Sequence, residues 1–469
     1  MAIKRPSGPQ GNFLLGSINQ FSQDEPKFLL ESVKQFGDLV YFRLAHVHTY
    51  LLGHPDLIRE VLVTQSNKFE KAPLDKQILG KFLGNGLLTS DGQFHRRQRR
   101  LAQPAFHSKR IQNYAEVMVD YTNQIMAEWQ DDAIVDVTQE MMHLTMLIVS
   151  KTLFDADAIT GTGDTAATIS SAMHDFQAVS NRDYQRGFSL PSWIPTADNR
   201  LRNRAAKEFN QVMEQIIAER RQTAVNGQVA DTGDLLSMLM LSVDEDGTFM
   251  DDRQLRDEVA TLFAAGHETT SNALSWTWYL LAQHPEIEAK LHEELDTVLD
   301  GRQPTLADLP NLPYSLQIIK ESMRLYPPAW ILNGRLALED AEIGDYTIPK
   351  GSTVFVSPYV MHHLPQYFDK PETFMPERFT PEFEKALPKF AYMPFGGGAR
   401  VCIGNAFAMM EAHLILAAIA QRFSLELATD KPVQYKAQIT LTPVDGIQMR
   451  LVERETAVAT PPQSEIAYA

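Results

Sequence analysis

A single cysteine, Cys402, occurs in the 469 residues. It lies in Pro394-Phe395-Gly396-Gly397-Gly398-Ala399-Arg400-Val401-Cys402-Ile403-Gly404, just ahead of a helical pattern from Ala406 to Phe423. A thiolate at the mouth of a helix is stabilised by the positive end of the dipole and by free backbone N–H groups. The surrounding glycines let the backbone approach a flat ligand closely. Such a sulfur is prepared to hold a metal. No second cysteine or histidine cluster accompanies it, so zinc and iron–sulfur sites are poorly supported, whereas haem iron needs only one protein ligand on that side. Arg400 then offers a cation for a haem propionate. The bland alternative for a lone cysteine is a small apolar core residue.

A second constellation, Ala265-Gly266-His267-Glu268-Thr269-Thr270, falls in the middle of the longest helical pattern, about Asp252 to Gln283. Some 30 residues of helix span about 45 Å. With few charges around Val259, Leu262, Phe263 and Ala264, this helix is expected to cross the interior. Glycine there costs about 1 kcal/mol relative to alanine, and an acid with two threonines adds desolvation cost. Either Gly266 serves packing and the hydroxyls bond back to the preceding turn, or the helix opens locally toward a buried reaction site. The second reading is the one expected here.

Phe395-x-x-Gly398-x-Arg400-x-Cys402-x-Gly404 resembles the haem-binding signature of the cytochrome P450 superfamily, the haem-thiolate monooxygenases. Glu321-Ser322-Met323-Arg324 resembles the family's E-x-x-R, whose i, i+3 spacing puts acid and guanidinium on one helix face. Pro376-Glu377-Arg378-Phe379 is similar to its P-E-R-F, and residues 265–270 to its oxygen-activation motif. The four matches follow the family's order over nearly the whole chain. The resemblance implies that Cys402 ligates haem b iron and that Phe395 and Arg400 belong to the cofactor site. It also implies that Glu321, Arg324 and Arg378 form a buried structural network, and that Glu268 and Thr269 relay protons to dioxygen.

Further cofactor contacts follow from the same resemblance. His95 and Arg99 match the H-x-x-x-R form found in part of the family, and at i and i+4 they share a face able to reach one propionate. Arg335, after Pro327-Pro328, takes the place of another propionate-binding arginine. The basic run Arg96 to Arg100 reads either as a solvated face or as a patch that docks an acidic electron donor of ferredoxin or flavodoxin type. Substrate contacts are expected from Phe69 to Leu88, the helices flanking Phe176 to Phe209, Phe263, Ala264, Ala329 to Leu332, and Ile439 to Leu441. Gly161-Thr162-Gly163-Asp164-Thr165-Ala166 fits a nucleotide-binding pattern, but no βαβ unit surrounds it and it is discounted.

The implied activity is insertion of one atom of O2 into a small hydrophobic substrate, by hydroxylation or epoxidation, with electrons from a separate protein. A peroxide-using or isomerising enzyme of lipids is the alternative within the family; such relatives often lack the acid and alcohol pair. A haem sensor or carrier is a third reading, and it has no need of a proton relay.

The elements that must position these groups are mainly helical, from about Pro55 to Leu325 and again after Gly404. Strand-like stretches occur near residues 37–65 and 329–357 and toward the C-terminus. The expected class is mainly α with small β-sheets, the haem lying between the long central helix and the cysteine-bearing loop. Residues 1–452 read as one domain and 453–469 as a disordered tail. With 43 Lys plus Arg against 59 Asp plus Glu, the net charge of −16 argues against nucleic acid as partner. No apolar run approaches a spanning helix or a secretory signal, so a soluble, cytoplasmic enzyme is expected.

Overall fold

Asp251 starts the longest helix. Its carboxylate accepts the Gln254 N–H at 2.8 Å, and Asp252 adds a second negative charge at the positive end of the dipole. The helix runs Asp252–Ala282 and stops ahead of His284 and Pro285. The computed structural model that contains it describes residues 5–155, 163–222, 230–243 and 247–454. Gly161 and Thr162 of the discounted glycine motif lie outside the described residues, as do residues 455–469 of the expected tail. Ordered chain reaches slightly beyond the expected boundary: Glu453 ends a strand, and the Arg454 guanidinium donates to the Ala420 and Gln421 carbonyls and to Asp296.

Eight helices matter for the site. In chain order they are α1 (Pro73–Leu83), α2 (Gly92–Ala102), α3 (Val137–Phe154), α4 (Gly163–Arg186), α5 (Ala197–Gln222), α6 (Asp252–Ala282), α7 (Pro313–Leu325) and α8 (Asn405–Arg422). As its sparse charge demands, α6 is buried along most of its length, and α3 lies against it. Gly266 is what lets them close: a Cβ there would come within 3.0 Å of Val149 Cγ2 on α3. The principal sheet holds β1 (Leu39–Leu44), β2 (Val47–Leu52), β3 (Phe69–Lys71), β4 (Arg335–Ala337) and β5 (Thr353–Val356), in the spatial order β1-β2-β5-β4-β3. Only β2 and β5 pair in parallel, Thr49 opposite Thr353 and Leu52 opposite Val356. The architecture is the expected one, mainly helical with small sheets.

Apolar side chains gather in two clusters, one among the helices and one beneath the principal sheet. Between them stands the Glu321 network. Arg324 Nε and Nη2 donate to the Glu321 carboxylate at 2.8 and 2.9 Å, and Nη1 donates to the His362 and Pro371 carbonyls. Arg378 Nε adds a 3.4 Å contact to Glu321, and the Met375 N–H a 3.0 Å bond. Glu321 and Arg324 are wholly buried, so every charged atom here depends on its partner. The i, i+3 pair thus clamps α7 to the segment that leads toward Cys402.

Candidate active site

Cys402 sits where the chain turns into α8. Its N–H donates to the Phe395 carbonyl at 3.0 Å, and the Gly404 N–H donates to its sulfur. Gly398, at φ +68°, closes on Leu62: a Cβ would come within 2.1 Å of that residue's carbonyl oxygen. The loop therefore tolerates only glycine there. Burial pushes the Cys402 thiol up from its ordinary range, while the Gly404 N–H and the Arg99 guanidinium pull it down. Arg99 also fixes the loop, donating to the Val401 carbonyl at 2.5 Å.

The sulfur opens into an internal cavity of about 1170 Å³ lined from Leu15 to Thr440. Every residue assigned to the site from sequence lines it: His95, Arg99, Glu268, Thr269, Arg335, Phe395, Arg400 and Cys402. Among the predicted substrate contacts, Leu83, Leu87, Phe176, Ala264, Trp330 and Ile439 also line it. Phe263 does not. It is fully buried, with its ring edge-on to Phe209 at 5.9 Å, because one step of about 100° along α6 turns it from the face that Ala264 and Ala265 present.

Cations crowd one wall. Arg335 on β4 is held near 10 by burial and by Arg400. Lys71, buried at the end of β3, is pushed down to about 7 by burial and then by Arg400. Its ammonium donates to the Leu87 and Ser90 carbonyls at 3.0 and 2.8 Å. His95 falls to about 3, from burial and the same neighbours, and stays neutral. Two carboxylates answer them: Asp91, at 2.5 Å from Arg400 and 2.9 Å from Lys76, and Asp75 beside Arg335. An enclosed wall of this composition calls for bound anions. It suits the two propionates of haem b, as the open sulfur suits the iron. Lys71 and Asp91 escaped the sequence reading because nothing local marks a strand-end lysine or a helix-capping aspartate as a cofactor neighbour.

On the opposite wall, α6 is unbroken through residues 265–270, contrary to the expected opening. Thr269 Oγ1 donates to the Ala265 carbonyl at 2.9 Å and Thr270 Oγ1 to that of Gly266 at 3.3 Å. This back-bonding satisfies the hydroxyls without parting the backbone. Glu268 is buried, and burial raises its carboxyl above the ordinary range. Thr440 donates to it at 2.5 Å and Gln177 of α4 also donates, each favouring the charged form. Asn272 Nδ2 in turn donates to Thr440 at 3.1 Å. Thr440 and Gln177 fall within stretches expected to touch substrate, but no spacing links either to Glu268.

A second, basic groove of about 760 Å³ shares His95 and Arg99 with the cavity and touches the cysteine loop at Ala399. It is lined by His95, Arg96, Arg99, Arg100, His107, Arg110 and Ala399 among others. Among the described residues no helix is long and apolar enough to cross a membrane.

Comparison with known proteins identifies the family. A family model described as Cytochrome P450 matches residues 6–450. Cyclooctat-9-en-7-ol 5-monooxygenase of Streptomyces melanosporofaciens is 38% identical over 404 residues, 85% of each chain. Pentalenene oxygenase of Streptomyces avermitilis is 34% identical over 431 residues, 92% of this chain and 93% of its own. The structure of retinoic acid bound cyanobacterial CYP120A1 superposes with a TM-score of 0.85 at 25% identity, covering 97% of this chain and 100% of that one. The chain belongs to the cytochrome P450 family, as a haem-dependent monooxygenase that takes a hydrophobic substrate, O2 and electrons from a redox partner.

Proposed function

We propose that Cys402 is the thiolate ligand of haem b, that His95, Arg99, Arg335 and Arg400 with Phe395 hold the cofactor, and that Glu268 and Thr269 form the proton relay. The observation that carries this reading is one enclosed space with an open sulfur on one side, the acid and alcohol on the other, and a cationic wall between. Haem, when bound there, supplies the oxidising power for O–O cleavage. The protein supplies protons and excludes water. Burial raises the Glu268 carboxyl and so favours its protonated form, while the bonds from Thr440 and Gln177 favour the charged form left after it gives up that proton. Thr269 in its present rotamer spends its hydroxyl hydrogen on the Ala265 carbonyl, so rotation about χ1 is what turns that hydrogen toward the cavity. The continuous lining from Leu15 to Thr440 supports residues 1–452 acting as one catalytic unit.

The substrate we infer is a terpene-type hydrocarbon skeleton, on the strength of the Streptomyces relatives and of the apolar walls at Leu87, Phe176 and Trp330. The donor is an acidic ferredoxin or flavodoxin, for which the basic groove beside the cysteine loop offers complementary charge. The test is a ferrous–carbonyl spectrum followed by turnover of a terpene library with a surrogate ferredoxin system. A thiolate-type spectrum and oxygenated products are expected. An imidazole-type spectrum, or NAD(P)H consumption without product across the library, overturns the assignment.

A further inference from the structure

Helix α4 carries a polar stripe into an apolar cavity. Gln177, Asn181 and Gln185, spaced four apart, share one helix face and all line the cavity. Two of the polar groups on this stretch are accounted for within the protein. Gln177 donates to Glu268, and the Tyr184 hydroxyl donates to Asp75 Oδ1 at 3.1 Å. Gln185 is exposed at the mouth, beside Phe188.

Asn181 differs. It is only 7% exposed, and its amide nitrogen is shut off from solvent with no hydrogen-bond partner among the described residues. Burying an amide nitrogen without a partner forfeits a free energy comparable to a lost hydrogen bond. An apolar side chain would serve the wall better if the molecule facing it were a plain hydrocarbon.

Resting on the monooxygenase reading, we infer that Asn181 is a specificity residue that recognises a hydroxyl group on the substrate. A neutral carboxamide both donates and accepts, as a hydroxyl does; a carboxylate, which only accepts, would leave the Asn181 oxygen unpaired. The helix rise puts Asn181 about 6 Å along α4 from Gln177, which touches the relay acid. The substrate is therefore a hydrocarbon skeleton already carrying one alcohol, several bonds away from the carbon to be oxidised. A reaction that installs that alcohol, by hydration or an earlier oxygenation, must precede this one.

The test compares cyclododecane, cyclododecanol and cyclododecanone on the holoenzyme, by ferric spin-state titration and by thermal shift. Wild type is expected to bind the alcohol about tenfold more tightly than the hydrocarbon, the ketone falling between. Asn181→Leu should abolish that preference while keeping or improving affinity for cyclododecane, and Asn181→Ser should restore part of it. Equal affinity for alcohol and hydrocarbon in wild type, or an undiminished preference in Asn181→Leu, overturns the inference. The ferrous–carbonyl spectrum is read separately: loss of its thiolate form counts against the cofactor reading, while the thermal shifts still decide for or against Asn181.

Discussion

Thr440 and Glu268 are joined by a 2.5 Å hydrogen bond between the turn that precedes the strand Leu441–Pro443 and the middle of the central helix. The threonine hydroxyl favours the charged form of an acid that burial pushes toward neutrality. Replacing Thr440 by valine keeps the shape and removes the donor. The limb of the pH–kcat profile belonging to Glu268 is expected to move to higher pH, and the weaker acid to release its proton more slowly, lowering kcat several-fold. Glu268→Gln, which abolishes the acid, should cost about 10²-fold or more. A Thr440→Val profile superimposable on wild type would remove this bond from the relay.

Thr269→Ala removes a hydroxyl that the helix backbone does not need, because α6 is continuous without it. Cofactor content and substrate-induced spin shift should be unchanged. NAD(P)H should instead be spent on peroxide, with the coupled fraction falling several-fold. Quantifying peroxide against product checks this, and full coupling in the variant refutes the role.

Arg324→Ala strands the Glu321 carboxylate in a site with no access to solvent. The expected loss is about 3–5 kcal/mol of stability, seen as a lower Tm and poor haem retention. Arg324→Lys keeps the charge but not the fork of donors that reaches Glu321 and the His362 and Pro371 carbonyls together, and should recover only part.

Lys71 couples cofactor loading to pH. Its folded value of about 7 lies below the usual lysine range, so below pH 7 the apoprotein carries the full cost of a buried ammonium. That cost is relieved as pH rises from 7 toward 10. Bound propionates favour the charged ammonium, so above pH 7 haem binding takes up a proton there. Haem affinity of the apoprotein should accordingly fall with pH across this window, by at most about tenfold per unit. Lys71→Met should flatten the dependence. Identical slopes for the two proteins would exclude Lys71 as its source.

Where the lining of the cavity is carried by contiguous residues, the sequence located it. The Phe395 to Gly404 loop, the Glu321 and Arg324 pair and the Glu268-Thr269 step each carry their geometry in their spacing. Partners from distant segments were illegible: Thr440 meets Glu268 across 172 residues, and Gln177 reaches it from another helix. Phe263 misled because hydrophobicity marks a residue for burial without saying which side of a buried helix it takes. The expected break in α6 failed for a similar reason. Polar residues in a buried helix suggested lost backbone bonds, whereas the threonines bond to backbone carbonyls already in place.

The parallel pairing of β2 with β5 joins stretches separated by roughly 300 residues. At 5–20 residues per second, a ribosome needs about 15–60 s between releasing the first of these strands and the second. Through that interval the nascent hairpin of Leu39–Leu52 presents Tyr50, Leu51 and Leu52, all buried in the finished molecule, along an unmatched margin. Synthesis therefore leaves this hairpin margin open to self-association until residues 353–356 emerge to cover it.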